Sequence, residues 1–162
     1  MPSMKRYYED GLAYFVTTVT GERKPIFEDK KLCRILLVTL AYFKTIFDYE
    51  VYGYCVMPDH LHAIIRPDSK HNLSFIMKMV KGSFARKINR LAGLKGSVWQ
   101  SGFYEEAIRS NTQLTNQLNY IHGNPVKADL VPSMEKYEFS SYRQFFIPED
   151  AGQVILEVDR PQ

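Results

Sequence analysis

The chain is poor in residues that cross-link or that span a bilayer. Of its 162 residues only two are cysteine, Cys33 and Cys55, and one is tryptophan. No stretch approaches the run of about 18 apolar residues that a membrane helix needs. Two cysteines without CxxC spacing exclude a disulfide-stapled scaffold; they read as buried thiols of a protein in a reducing cytoplasm. The opening residues, Met1 to Arg6, lead into acidic Glu9 and Asp10, so no secretory hydrophobic core is expected there. No repeat, low-complexity tract or linker divides the sequence. Acid is missing too, but locally. Between Ser69 and Tyr104 there is no Asp or Glu, while Lys70, Lys78, Lys81, Arg86, Lys87, Arg90 and Lys95 supply seven positive charges in a chain of net charge +3. Such a segment suits a polyanion; its plainer reading is a solvated helix face.

What is present is an ordinary globular composition, 45% apolar, at a length that fits one domain. Leu12 to Thr20 is rich in β-branched and aromatic residues and reads as a strand, broken by Gly21 to Pro25. Between Asp29 and Tyr49, Leu32, Ile35, Leu36, Thr39, Leu40, Phe43 and Phe47 recur at a helical period. Glu50 to Met57 and His60 to Arg66 read as two strands joined by the turn formers Pro58 and Asp59. Asn72 can cap a helix that runs to about Leu91 and ends at Gly93 and Gly96. Val98 to Ile108 is expected to return as a strand carrying Trp99, Phe103 and Tyr104. A last long helix starts at Ser110 or Asn111 and is expected to stop around Asn124-Pro125. The order β-α-β-β-α-β-α predicts an α+β fold, a ferredoxin-like antiparallel sheet with helices packed on it. Residues 1–146 are expected to form that domain and 147–162 a C-terminal tail.

The run Met57-Pro58-Asp59-His60-Leu61-His62 carries the chemistry. Side chains alternate along a strand, so His60 and His62 share one face while Leu61 points to the other. A His-x-His pair is often mere surface decoration. Here it opens the returning arm of a hairpin, near a sheet edge, where a ligand can reach it. Two neutral imidazoles on one face are half of a divalent-metal site. On the last helix Tyr120 and Asn124 stand four residues apart and share a face. If that face covers the histidines, Asn124 supplies a third, oxygen ligand beside the Tyr120 hydroxyl. A mixed nitrogen and oxygen shell suits Mg²⁺ or Mn²⁺. Tyr120 as a half-buried packing residue is the plainer alternative.

These two segments, Met-Pro-Asp-His60-Leu-His62 and Tyr120-Ile-His-Gly-Asn124-Pro-Val-Lys-Ala, resemble the single-tyrosine HUH transposases. Among these the chain looks closest to the REP-associated tyrosine transposases (IS200-like transposases) of bacteria. The resemblance runs from about Tyr7 to Tyr142. It takes in Val16 to Thr20, Arg23 to Phe27, Trp99 to Phe103, and the Glu138-Phe139-Ser140-Ser141 segment.

The resemblance implies a fold of the HUH endonuclease type and a metal-dependent single-stranded DNA transesterase. Such an enzyme nicks DNA near hairpin (palindromic) ends through a 5′-phosphotyrosine and rejoins it, in transposition or recombination. Tyr120 would be the nucleophile, and His60, His62 and Asn124 the ligands of Mg²⁺ or Mn²⁺. His122 is a lesser candidate for DNA contact, because its offset of two turns it from the face of Tyr120. Lys78, Lys81, Arg86 and Arg90, near helical spacing, become candidate contacts to a DNA backbone. The protein would be bacterial, nucleoid-associated when on DNA, and monomeric or homodimeric. Whether Tyr120 serves its own or a partner's metal site is open. Two other readings also stay open: a catalytically silent single-stranded nucleic-acid-binding module, and a metal-dependent phosphodiesterase that uses water.

Overall fold

The computed structural model describes residue 6 and residues 8–162; residues 1–5, on which the expectation of no secretory segment partly rests, and Tyr7 lie outside them. Four strands, β1 (Ala13–Val19), β2 (Glu50–Met57), β3 (His60–Arg66) and β4 (Tyr104–Ile108), form one antiparallel sheet in the order β2-β3-β1-β4. This is the ferredoxin-like arrangement. Three long helices, α1 (Lys30–Phe47), α2 (Leu73–Ala92) and α3 (Asn111–Lys127), connect and cover it. Each starts on a side chain able to accept a hydrogen bond from an otherwise unpaired backbone N–H. Asp29 accepts from Lys31 N at 2.9 Å, Asn72 from Phe75 N at 2.9 Å and Ser110 from Gln113 N at 3.1 Å. Gly93 ends α2 in the left-handed conformation, φ 63.

The sheet is buried on both faces. Helices α1 and α2 pack against one another over Val16, Val51, Tyr54, Val56, Leu61, Ala63 and Ile65. On the other face α3 brings Ile121, Leu114 and Leu118 over Phe15, Tyr52, Cys55, Met57 and Ile64. Odd and even residues of β3 therefore enter different cores, and His60 and His62 fall with Ile64 on the α3 side. In β2 the register slips between Val51 and Gly53, which moves Cys55 and Met57 onto that side as well. Gly53 is where α3 comes closest: a Cβ there would stand 2.4 Å from Leu118 Cδ2.

Three departures from the sequence expectation have physical reasons. The segment from Val98 is not strand until Tyr104. Gly96 and Gly102 turn it through positive φ, 98 and 73, and Trp99 makes only a single bridge to Thr20 before burying itself between Phe27 and Phe84. Helix α3 passes through Pro125 and ends at Lys127. Proline keeps a helical φ, so the helix continues through it, but it forfeits its N–H bond and crowds the carbonyl one turn back, and the helix ends two residues later. The C-terminal residues are not a detached tail. Phe139 O accepts from Val56 N at 2.8 Å, Ser141 N donates to Tyr54 O at 3.0 Å, and the short helix α4 (Tyr142–Phe146) follows. Farther on, Asp159 pairs with both backbone groups of Val51, at 2.7 and 2.8 Å, and Leu156 is fully buried in the main core. The otherwise open edge of β2 is thus covered along its length.

Among the described residues, no helix is long and apolar enough to cross a membrane. Leu156→Ala is expected to lower unfolding stability by about 2–5 kcal/mol, the usual cost of a buried leucine, as read by urea denaturation. A loose tail would show no change.

Candidate active site

Side-chain alternation on β3 and the two-residue turn Pro58-Asp59 deliver both histidines to the end of the sheet. β3 is an inner strand, so access comes from this end and not from a lateral sheet edge. The turn is held by its own carbonyls: Phe27 N donates to Pro58 O at 3.0 Å, and Thr20 N to Asp59 O at 2.9 Å. His60 Nδ1 lies 2.6 Å from Asp59 Oδ1, and His62 Nδ1 lies 2.8 Å from Thr17 Oγ1, its register partner on β1. A carboxylate accepts only, so Asp59 fixes the His60 proton on Nδ1 and leaves the Nε2 lone pair facing the cleft. Thr17 sets His62 in the same way when it accepts. The two Nε2 atoms are then 3.1 Å apart.

That spacing has a chemical meaning. Two lone pairs at this distance repel unless something electropositive lies between them, either the ring proton of one histidine or a cation that takes its place. Cis ligands around an ion with bonds of about 2.1 Å stand about 3.0 Å apart, so the donors fit a divalent cation as they are. Burial, and then the charge of His60, push His62 down to about 3, so its ring is neutral as a ligand must be. Burial raises the Asp59 carboxyl, but the hydrogen bond and charge of His60, with those of Arg23, outweigh it and hold the group below its ordinary value. Among the described residues no third His, Cys, Asp or Glu joins the pair. A further protein ligand for such an ion would therefore be a neutral oxygen.

Asn124 offers one. It lines, with His60, His62, Tyr120, Arg23, Thr17, Glu106 and Gln117, a cleft of about 650 Å³. Tyr120 stands over the histidines, its ring edge-on to His62 (centroids 5.6 Å apart) and to Phe15 (6.0 Å), and 51% exposed. Helix α3 is tied to the far edge of the sheet by Glu106 of β4, which accepts from Gln113 Nε2 at 3.2 Å and Gln117 Nε2 at 3.3 Å. A second cleft, of about 440 Å³, lies at the opposite end of the sheet and holds none of these groups.

The structure thus gathers His60, His62, Tyr120 and Asn124 in one place. It does not bring the basic residues there. Lys78, Arg86 and Arg90 are exposed on α2, across the sheet from the cleft. Lys81 is engaged elsewhere: two of its three N–H donors go to the carbonyls of Gln100 (3.2 Å) and Gly102 and clamp that loop. His122 is likewise corrected. It is 2% exposed, Nε2 lies 2.8 Å from Ser141 Oγ, and its ring is enclosed by Tyr142, Phe145 and Phe146, so it has no surface to offer DNA. Ser141 Oγ also accepts from Tyr54 N at 2.9 Å, so His122 anchors α3 to β2. Burial pushes its ring down to about 4, and it stays neutral. Trp99 is core, and Tyr104 is exposed on the cleft wall.

Sequence reasoning missed Asp59, Thr17, Arg23, Glu106 and Gln117. Asp59 was legible only as a turn former, although its place next to His60 is a signal. Thr17 depends on strand register, and Glu106 and Gln117 on how α3 crosses β4.

The family model described as "Transposase IS200 like" matches residues 9–124. The chain is 27% identical over 145 residues to the REP-associated tyrosine transposase of Escherichia coli K12, covering 89% of this chain and 84% of that protein. It is 27% identical over 168 residues to a Haemophilus influenzae protein assigned as a REP-associated tyrosine transposase, covering 94% of each. A solved structure of a REP-associated tyrosine transposase bound to a REP hairpin superposes with a TM-score of 0.74 at 24% identity. It covers 99% of this chain and 93% of that one, a likeness of fold. A crystal structure from Deinococcus radiodurans, assigned as a transposase, gives a TM-score of 0.51 at 22% identity, covering 75% of this chain and 96% of that one.

If His122 is an anchor, His122→Ala should cost about 1–3 kcal/mol by leaving Ser141 short of a partner. Urea denaturation reads that loss. The salt dependence of binding to a labelled DNA hairpin, measured by anisotropy, should not change.

Proposed function

The chain belongs to the IS200-like transposase family, and on that premise we propose that it is a metal-dependent transesterase of single-stranded DNA that cleaves and rejoins strands near hairpins through a phosphotyrosine. The observation that carries this reading is the meeting of a half-exposed tyrosine, two histidines whose Nε2 atoms converge to 3.1 Å and an asparagine in one cleft. Binding alone needs no such set.

A divalent cation such as Mg²⁺ or Mn²⁺, held by His60, His62 and Asn124, would supply charge neutralisation at the scissile phosphate. The remaining work falls to the chain itself. Tyr120 must lose its hydroxyl proton as its oxygen attacks phosphorus, because the new phosphodiester oxygen cannot keep it. Packing on Phe15 and His62 fixes the plane of the ring and leaves the hydroxyl open to the cleft. The new P–O bond to Tyr120 replaces the bond to the 3′-oxygen, which leaves with a proton as a free hydroxyl. The product is still a phosphodiester, so a second 3′-hydroxyl can reverse the step and join strands without ATP. Hydrolysis would forfeit that bond, and the covered sheet faces leave water only the mouth of the cleft.

The exposed cations of α2, Lys78, Arg86 and Arg90, would grip phosphates at a distance from the cut. A relative of the same fold is bound to a REP hairpin, which supports a DNA hairpin as the partner of this chain.

The deciding experiment incubates labelled single-stranded hairpins, taken from around the source gene, with Mg²⁺ or Mn²⁺ and the protein, followed by a denaturing gel. A metal-dependent covalent band is expected for the wild type and none for Tyr120→Phe, with DNA affinity nearly unchanged. Cleavage in both proteins without an adduct would replace this reading by a water-using phosphodiesterase, and tight binding without cleavage by a silent binding module. For the α2 face, exchanging Lys78, Arg86 and Arg90 together for Gln should reduce the slope of log affinity against log salt by about 0.7 to 0.9 per lost contact. An unchanged slope would make that face a solvated surface.

A further inference from the structure

Between β1 and α1 the chain makes a turn that ordinary residues avoid. Glu22 and Arg23 both have left-handed backbones, φ 55 and 52, although neither is glycine. The turn is clamped from several sides. Gly21 N donates to Val98 O at 2.8 Å, Arg23 N to Thr20 O at 3.1 Å, and Lys24 N to Gly21 O at 3.2 Å. Thr20 Oγ1 reaches Lys24 O at 2.8 Å and Asp59 O at 3.1 Å. Gly21 itself sits too tightly for a side chain, since a Cβ would lie 3.1 Å from Ser97 O.

What this clamped turn presents is the Arg23 guanidinium. It lines the same cleft as His60, His62, Tyr120 and Asn124, and it is the one permanently charged cation among the described residues lining it. Nη1 lies 3.2 Å from Asp59 Oδ2, while Asp59 Oδ1 holds His60. The side chain is otherwise 63% exposed, and among the described residues no acceptor meets Nε or Nη2. A plain surface ion pair would need neither the left-handed backbone nor a place on the wall of this cleft. A planar fork with one donor anchored and the others open is the geometry that grips two oxygens of a phosphate.

We propose that Arg23 is a catalytic residue of this cleft, its open guanidinium edge gripping the non-bridging oxygens of the scissile phosphate while Nη1 remains on Asp59. The inference rests on the phosphotyrosine reading and deepens it. Attack by Tyr120 adds negative charge to those oxygens before the 3′-oxygen departs, so a fixed cation there stabilises the transition state more than the bound substrate. Through its two oxygens Asp59 then holds the histidine half and the arginine half of the site in one frame.

The test compares wild type, Arg23→Gly and Arg23→Lys. Glycine removes the guanidinium and suits the left-handed backbone, so its melting temperature should not fall. Three quantities are measured: the single-turnover rate of adduct formation at saturating hairpin, the hairpin Kd, and Mn²⁺ affinity of the DNA-free protein by electron paramagnetic resonance. The adduct rate of Arg23→Gly should fall about 10²- to 10³-fold, with Kd and Mn²⁺ affinity within about threefold of wild type and partial recovery in Arg23→Lys. An unchanged rate, or a loss confined to Kd, would overturn the proposal while the wild-type adduct still stood. A rate that falls only in step with Mn²⁺ affinity would also overturn it, reducing Arg23 to a prop for Asp59. No adduct from the wild type would instead sink the phosphotyrosine reading and this inference with it.

Discussion

The pairing of β1 with β3 in one register, Thr17 opposite His62, governs where every group of the cleft lies. Both sheet faces are covered by helices, so β3 has no indifferent side. Leu61, Ala63 and Ile65 must enter the core under α1 and α2, and this obliges His60, His62 and Ile64 to face α3. A slip of one residue would bury two imidazoles among leucines and turn Leu61 toward the cleft, a cost that no hairpin turn could offset. The hydrophobic effect thus aims the imidazoles, and their hydrogen bonds to Thr17 and Asp59 only finish the alignment.

Much of this was legible because two periodicities were strong. The hairpin bounds follow from alternation on either side of Pro58-Asp59, and α1 and α2 from apolar stripes between capping residues. The same spacing rules place His60 with His62, and Tyr120 with Asn124, on common faces. Reading failed where a contact distant in sequence decides the outcome. Trp99 has strand propensity, but the pocket between Phe27 and Phe84 claims it and bends the chain. Leu156 belongs to the short run Val154-Ile155-Leu156, too brief to show a period, yet it completes the core. Lys81 and His122 show the limit for charged and polar residues. Residue type alone cannot tell a phosphate contact from a carbonyl clamp, or a ligand from a buried anchor.

Asp59 repays attention as a junction. One carboxylate, held ionised, fixes the proton of His60 with one oxygen and the direction of Arg23 with the other, while its backbone carbonyl receives Thr20. Orientation of a ligand by an acceptor behind it is a common feature of metal sites. Here the same acceptor also steadies a guanidinium, so the two sides of the cleft are not independent. Disturbing either is felt by the other through a single side chain.

Helix α3 is held toward its start by Glu106, through Gln113 and Gln117, and past its middle by Ser141, through His122. Tyr120 sits in the span between those two moorings. Its hydroxyl oxygen lies on the ring axis, so χ2 only turns the ring plane, already set by Phe15 and His62, and χ1 alone moves the oxygen along a short arc of fixed radius about its Cα. A flexible lysine or a nucleophile on a loop would have to freeze several more rotations to reach the same point. The consequence is kinetic economy: little configurational freedom remains to be lost when a partner arrives, and the adjustment needed for alignment falls to the incoming strand.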